Sequence, residues 1–220
     1  MEWAGLGCGG PPDEGLVFTL GGALLTSVRR NCDQAYRGGD LELDLLDRIG
    51  AEVELRATDD PVAGWKWVTD EIDAGRPVMV WADISALPYR RVRLQMSRHD
   101  IVIVGYDDEQ RLAYVVDNDR EHVQTVPYDD LARARTSTGF PVPTRHTTYV
   151  VKWPECVPNL RAISASALTQ AALSLSRGNG PKISDRSSAS VQGTGLDGVQ
   201  VFVDDLRRWP EHLHEGDLHE

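Results

Sequence analysis

The stretch from Leu87 to Val126 constrains this chain most. Arg98-His99-Asp100 opens an apolar run, Ile101-Val102-Ile103-Val104, that leads into Gly105-Tyr106-Asp107-Asp108. A second run comes after a short gap, Leu112-Ala113-Tyr114-Val115-Val116, and ends in Asp117-Asn118-Asp119. Two β-branched runs joined by a short acidic, polar connection predict a β-hairpin. Neighbouring antiparallel strands put the entrance of one beside the exit of the next. His99 and Asp117 are therefore predicted to meet, as the base and its orienting acid meet in a nucleophilic triad. A strand-edge histidine that only hydrogen-bonds, and an Asp that only shapes a turn, are the bland alternatives.

The rest of the chain predicts an α+β fold, with helices packed on an antiparallel sheet. Asp13 or Glu14 opens a short apolar helix, and Gly21-Gly22-Ala23 reads as a turn or a close backbone approach. Leu41, Leu45, Leu46 and Ile49 share one helical face, and Gly50 stops it. Ala51–Thr58 reads as a strand with Val53 and Leu55 inward. Asp60-Pro61 starts a helix with Trp65, Val68 and Ile72 on the core side, Trp67 on the flank and a stop at Gly75 and Pro77. Pro77–Asp83 is a buried strand by its continuous apolar run. Gln124–Val126 continues the sheet, Tyr128–Ala134 is a short helix and Thr147–Lys152 is expected to be the final strand. Trp81 and Tyr114 are placed as core.

Composition shifts after Trp153-Pro154, so residues 1–153 are expected to be one domain and 154–220 an appended arm. The arm reads as an amphipathic helix (Leu160–Ser176), a Gly/Ser-rich mobile linker (177–195) and a further helix (Leu196–Trp209). The net charge of −11 argues against nucleic acid or an anionic membrane as a partner, because both reward clustered Lys and Arg. No apolar run approaches a membrane span, and Leu16–Leu25 lacks the basic segment a signal peptide carries. The three cysteines, Cys8, Cys32 and Cys156, share no metal spacing, so a cytoplasmic chain with free thiols is the simplest reading. His212, His214 and His219 read as a solvated tail rather than a metal site, and His146 reads as a loop residue. No metal and no cofactor is expected, and the oligomeric state is left open.

The nucleophile is less legible. Catalytic thiols favour a helix N-terminus, where backbone N–H groups and the dipole stabilise the thiolate. Cys8 is followed by Gly9-Gly10-Pro11-Pro12, which starts no long helix, so an ordinary surface thiol is its simpler reading. Cys32 has no helix start of its own, Cys156 reads as an exposed linker thiol, and no Gly-x-Ser-x-Gly elbow occurs. Tyr89, Tyr106 and Asp100 flank the hairpin and are candidates for a substrate cleft, though packing explains the tyrosines equally well.

Six segments in this order carry a family resemblance: Asp13–Gly21, Asp73–Val80, Leu87-Pro88-Tyr89, His99–Asp107, Gln124–Val126 and Leu131–Arg135. On them the chain resembles the butirosin biosynthesis protein H family, whose N-terminal domain looks like a papain-type, bacteriocin-leader cysteine peptidase. Leu196–Pro210 resembles the opening of the helical domain that comes next in that family. The resemblance implies a papain-like fold and a thiol acyltransferase of antibiotic biosynthesis. Such an enzyme moves an acyl group from an acyl carrier protein to a small-molecule amine. His99 carries over as the base and Asp117 as its orienting acid. The cysteine does not carry over, since the helix that bears it in the family precedes the segment matching Asp13–Gly21. Three explanations stay open: a start further upstream, a lost nucleophile, or Cys8 acting by another route. Asp83, Asp100 and Asp107 are expected to draw a cationic amine to the site. A peptidase and a non-catalytic binding module of the same fold are the rival readings.

Overall fold

A computed structural model describes residues 13–22, 25–29, 35–38, 41–118, 120–156, 158–177 and 191–208. The chain divides into two compact units, Val53–Lys152 and the two flanking segments 1–52 and 153–220 taken together.

The central unit is built on a six-stranded sheet. Its strands are β3 (Glu52–Arg56), β4 (Val78–Ala82), β5 (His99–Asp107), β6 (Leu112–Val116), β7 (Gln124–Pro127) and β8 (Thr148–Lys152). They lie in the order β3-β8-β4-β5-β6-β7, with antiparallel pairing at β8–β4, β4–β5, β5–β6 and β6–β7. Residues at alternate positions share a face. Val78, Val80 and Ala82, Ile101 and Ile103, and Ala113 and Val115 are all at most 2% exposed and form one core. Helix α3 (Pro61–Asp73) covers that face with Val68, Trp65 and Ile72, as its periodicity predicts. Asp60 caps it by accepting from the Val62 N–H at 2.9 Å, and Pro61 occupies the first turn. Helix α4 (Tyr128–Arg135) adds Leu131 and Ala134.

The flanking segments form the other unit. Its α1 (Glu14–Gly21) is capped by Asp13, whose carboxylate accepts from the Leu16 N–H at 2.7 Å. Gly22 ends it in left-handed backbone, φ 62°. Helices α2 (Leu41–Ile49), α5 (Leu160–Arg177) and α6 (Gly195–Leu206) fall close to their predicted bounds. A second sheet, β2-β1-β9, joins Ala35–Gly38, Leu25–Arg29 and Val191–Thr194.

This second sheet corrects the sequence reading. Val191–Thr194 lies in the stretch expected to be a mobile linker, yet it pairs antiparallel with β1. Thr148–Lys152 is therefore not the last strand. The three short strands carry no long alternation, and β9 meets β1 across about 160 residues of chain, which leaves no local signal for it. Leu55 is a smaller correction. It is 41% exposed, because the burial along β3 falls on Val53 and Arg56.

Candidate functional site

His99 lies in register with Ala82 at the start of β5, and Val102 pairs with Val116 near the end of β6. The two-residue period of a strand then sets which way each side chain points. His99 stands on the face of Ile101 and Ile103, and Asp117 continues the face of Ala113 and Val115. Both polar side chains thus project from the rim of the apolar core. They meet there: His99 Nε2 is 2.9 Å from Asp117 Oδ1.

Asp117 is 4% exposed, and its carboxylate is enclosed by donors. Oδ1 takes His99 Nε2, the Asn118 N–H at 2.8 Å and Arg90 Nη2 at 2.8 Å. Oδ2 takes the Tyr89 hydroxyl at 2.7 Å and Arg90 Nε at 2.9 Å. Burial alone would raise this carboxyl's pKa. The hydrogen bonds from His99 and Tyr89, with His99's charge and Arg90, outweigh it and hold the group well below the ordinary carboxylate range. Tyr89 shows the reverse: burial, then its bond to Asp117, pushes the phenol well above its usual value.

Arg90 is the residue that sequence reasoning missed. Its guanidinium grips both carboxylate oxygens through Nε and Nη2, and Nη2 also lies 2.5 Å from His99 Nε2. It arrives from the loop after β4. A short 3-10 turn, Ile84–Ala86, leads to Leu87, which is buried in the core, and the chain then turns with a 3.0 Å bond from the Arg90 N–H to Leu87 O. Anchoring by Leu87 and Tyr89 aims Arg90 at the strand ends. The only cue in the sequence is a basic residue beside a candidate tyrosine, in a segment with no periodicity.

Other expected site residues are dispersed. Tyr89 is present, but its hydroxyl serves Asp117 rather than an open cleft. Tyr106 sits at the far end of β5, about 23 Å along the strand from His99 at roughly 3.3 Å per residue, and donates to Asp73 at 2.8 Å. Asp100 alternates onto the face opposite His99. Asp83 is 1% exposed and caps the 3-10 turn, accepting from Ser85 N–H and Oγ, Met96 N–H and Ser137 Oγ. Asp107 holds the hairpin turn through the Gln110 N–H at 2.9 Å. The expected acidic mouth of Asp83, Asp100 and Asp107 is therefore not a cluster: each carboxylate has a separate position, and two have local structural work. Cys8, Cys32, His212, His214 and His219 lie outside the described residues. Cys156 is an exposed free thiol in the unit of the flanking segments.

Residues 1–118 match the family model described as butirosin biosynthesis protein H, N-terminal. The chain belongs to this family. Residues 129–220 match a second model, described as a domain of unknown function, DUF4872. No curated protein matches the chain. In this butirosin protein H family member, the N-terminal match spans the loop carrying Tyr89 and Arg90, strand β5 and Asp117, so the whole polar cluster falls inside it. Among the described residues, no group of three or more His, Cys, Asp or Glu is placed to hold a metal ion. No helix among them is long and apolar enough to cross a membrane.

Proposed function

We propose that this chain is a thiol acyltransferase-type protein of papain-like fold, which moves an acyl group from a carrier-protein thioester to an amine. The observation that carries the reading is the His99 Nε2–Asp117 Oδ1 contact of 2.9 Å at paired strand ends, inside the segment matching the family. Asp117 accepts a hydrogen bond from the Nε2–H and fixes the ring, which leaves the Nδ1 lone pair as the base. The Nδ1 side takes a proton from a cysteine thiol. The thiolate attacks the thioester carbonyl, a carbon–sulfur bond to the enzyme forms, and the carrier thiol leaves with the proton held by His99. The amine then attacks the acyl-enzyme. A carbon–nitrogen bond forms, the enzyme thiol departs, and the amine's proton passes through His99 to that sulfur.

A second reading is favoured by Arg90. Nε2 carries one hydrogen at most in a neutral ring, so it either donates to Asp117 or accepts from Arg90 Nη2 at 2.5 Å. If it accepts from Arg90, the proton sits on Nδ1 and the ring is no base. The cluster is then a structural knot in a binding module.

The deciding experiment treats the protein with an acyl-N-acetylcysteamine thioester and reads intact mass. The wild type and the variants Cys8→Ser, Cys32→Ser, Cys156→Ser and His99→Ala are compared. An acyl adduct on one cysteine, lost with that cysteine and slowed at least 100-fold in His99→Ala, supports transfer. Absence of any adduct, or acylation indifferent to His99, favours the binding module.

A further inference from the structure

A second polar constellation lies in the central unit, among residues other than those around His99. Arg135, on the last turn of α4, is 1% exposed. Its guanidinium donates to neutral acceptors: His146 O at 2.9 Å, Thr148 Oγ1 at 2.7 Å and Gly64 O at 3.4 Å. Nε has no partner, and no carboxylate among the described residues pairs with the group. A buried cation without an anion is held at a cost, because neutral dipoles replace lost hydration only in part. Burial draws the Arg135 pKa down to about 9, which still leaves the group charged at neutral pH.

His146 faces the same place. It is 2% exposed, and neither Nδ1 nor Nε2 has a hydrogen-bond partner among the described residues. Buried imidazoles that serve structure are hydrogen-bonded as a rule. The chain also goes to unusual lengths to seat this one. Arg145 and His146 both adopt left-handed backbone, φ 44° and 48°, in residues other than glycine. The Thr58 N–H to Arg145 O and His146 N–H to Arg135 O bonds, each 2.8 Å, hold that conformation. Opposite, α3 presents Gly64, where an added Cβ would stand 2.5 Å from His146 Cβ. A glycine and two strained residues together position an imidazole whose nitrogens bond to nothing among the described residues.

Arg135 and His146 line a cavity of about 290 Å³, with Trp65, Tyr128, Leu131 and Ala132 among its other walls. The volume suits a small ligand, just below the usual range for drug-sized sites. Trp65 and Tyr128 have ring centroids 4.8 Å apart with planes inclined at 57°, and together offer an angled apolar wall. At the rim, Arg111 is already matched by Asp129 at 3.0 Å, so among the residues lining the cavity one charge, that of Arg135, has no opposite partner. One buried cation calls for a monoanion; a dianion such as phosphate would bring a charge the site does not balance.

We propose that this cavity binds a small monocarboxylate with an apolar body. Its carboxylate bonds Arg135 and His146, and its body lies against Trp65 and Tyr128. The inference stands apart from the His99 reading and holds or fails without it.

The test titrates the full chain with benzoate, phenylacetate and hexanoate, monitored by amide and imidazole NMR. At least one acid is expected to saturate, with shifts confined to residues 61–65, 128–135 and 144–148. The matching primary amide is expected to bind at least tenfold more weakly. Ala132→Phe fills the mouth from an exposed position on α4 and is expected to weaken binding at least tenfold at an unchanged melting temperature. Arg135→Gln should abolish binding if it folds; if it does not, the amide comparison and Ala132→Phe decide. The proposal is overturned if none of the three acids saturates. It is equally overturned if acid and amide bind alike, if Ala132→Phe has no effect, or if the shifts centre on His99.

Discussion

Replacing Asp117 by Asn leaves the side chain's shape almost unchanged and removes its charge, and the structure says what that should do. The carboxylate accepts from Tyr89, from Arg90 twice, from His99 and from the Asn118 N–H. An Asn amide must place an NH2 where one oxygen was. At the Oδ1 position the NH2 would oppose the donors of His99, Arg90 and Asn118. At the Oδ2 position it opposes Arg90 Nε, while the Tyr89 hydroxyl can turn and accept. The second placement loses less, but Arg90 still loses its counter-charge with its side chain only 14% exposed. Breaking a buried pair from one side costs about 3–5 kcal/mol, and the partial exposure of Arg90 favours about 3 kcal/mol here. The sign with pH is set by the depressed pKa of Asp117. Its contribution is fully present above the unfolded carboxylate value of about 4, and is lost as the pH falls below that toward the folded value. Amide exchange at Ile101, Ile103 and Val115 reads the stability of the unit that holds the site. Wild type should exceed Asp117→Asn by about 3 kcal/mol at pH 7, and the gap should narrow at pH 3. A gap under about 1 kcal/mol at pH 7, or one unchanged between the two pH values, would refute the account of an ionised, fully bonded carboxylate.

Tyr89→Phe removes one charged-acceptor hydrogen bond and should cost about 1.5–2 kcal/mol by the same exchange measurement. Gly64→Ala puts a Cβ 2.5 Å from His146 Cβ and should destabilise the central unit by about 2–3 kcal/mol in a thermal or chemical melt. A neutral result there would mean that α3 and His146 are not packed as described. Burial, together with the charge of Arg135, draws the His146 pKa down to about 4, so its ring should stay neutral in an NMR titration from pH 8 to 5. With the folded pKa below the unfolded 6.5 or so, its share of stability is present above pH 6.5 and is lost as the pH falls toward about 4.

The elements that were legible in the sequence share a physical reason: local signals agreed with long-range packing. Asp60-Pro61 and Asp13 are caps whose oxygens meet N–H groups two or three residues on, so five residues of sequence suffice to see them. The β5–β6 hairpin is legible because one apolar face runs unbroken through Ile101, Ile103, Ala113 and Val115. β1, β2 and β9 offer no such agreement. They are four or five residues long, and β9 gains its strand character only by pairing with β1. Leu55 failed for a related reason, since one edge strand of five residues leaves the inward set undecided until the sheet exists.

The polar clusters divide along the same line. His99 and Asp117 were visible because strand alternation sends both out of one core face at adjoining ends. Arg90 and His146 were not, because each is delivered by a loop whose course depends on distant contacts: Leu87 in the core for one, Gly64 and Arg135 for the other. Both misses concern a cation or an imidazole in a place that residue preferences assign to the surface. Arg90 resolves its burial with a carboxylate already in the chain. Arg135 does not, and that asymmetry separates the two sites chemically. The first is closed on itself, and opens to chemistry only if His99 Nε2 donates its hydrogen bond to Asp117 rather than accepting one from Arg90. The second has a buried cation bonded only by neutral acceptors and three buried nitrogens without a partner among the described residues, which is what a bound carboxylate, as proposed above, would satisfy.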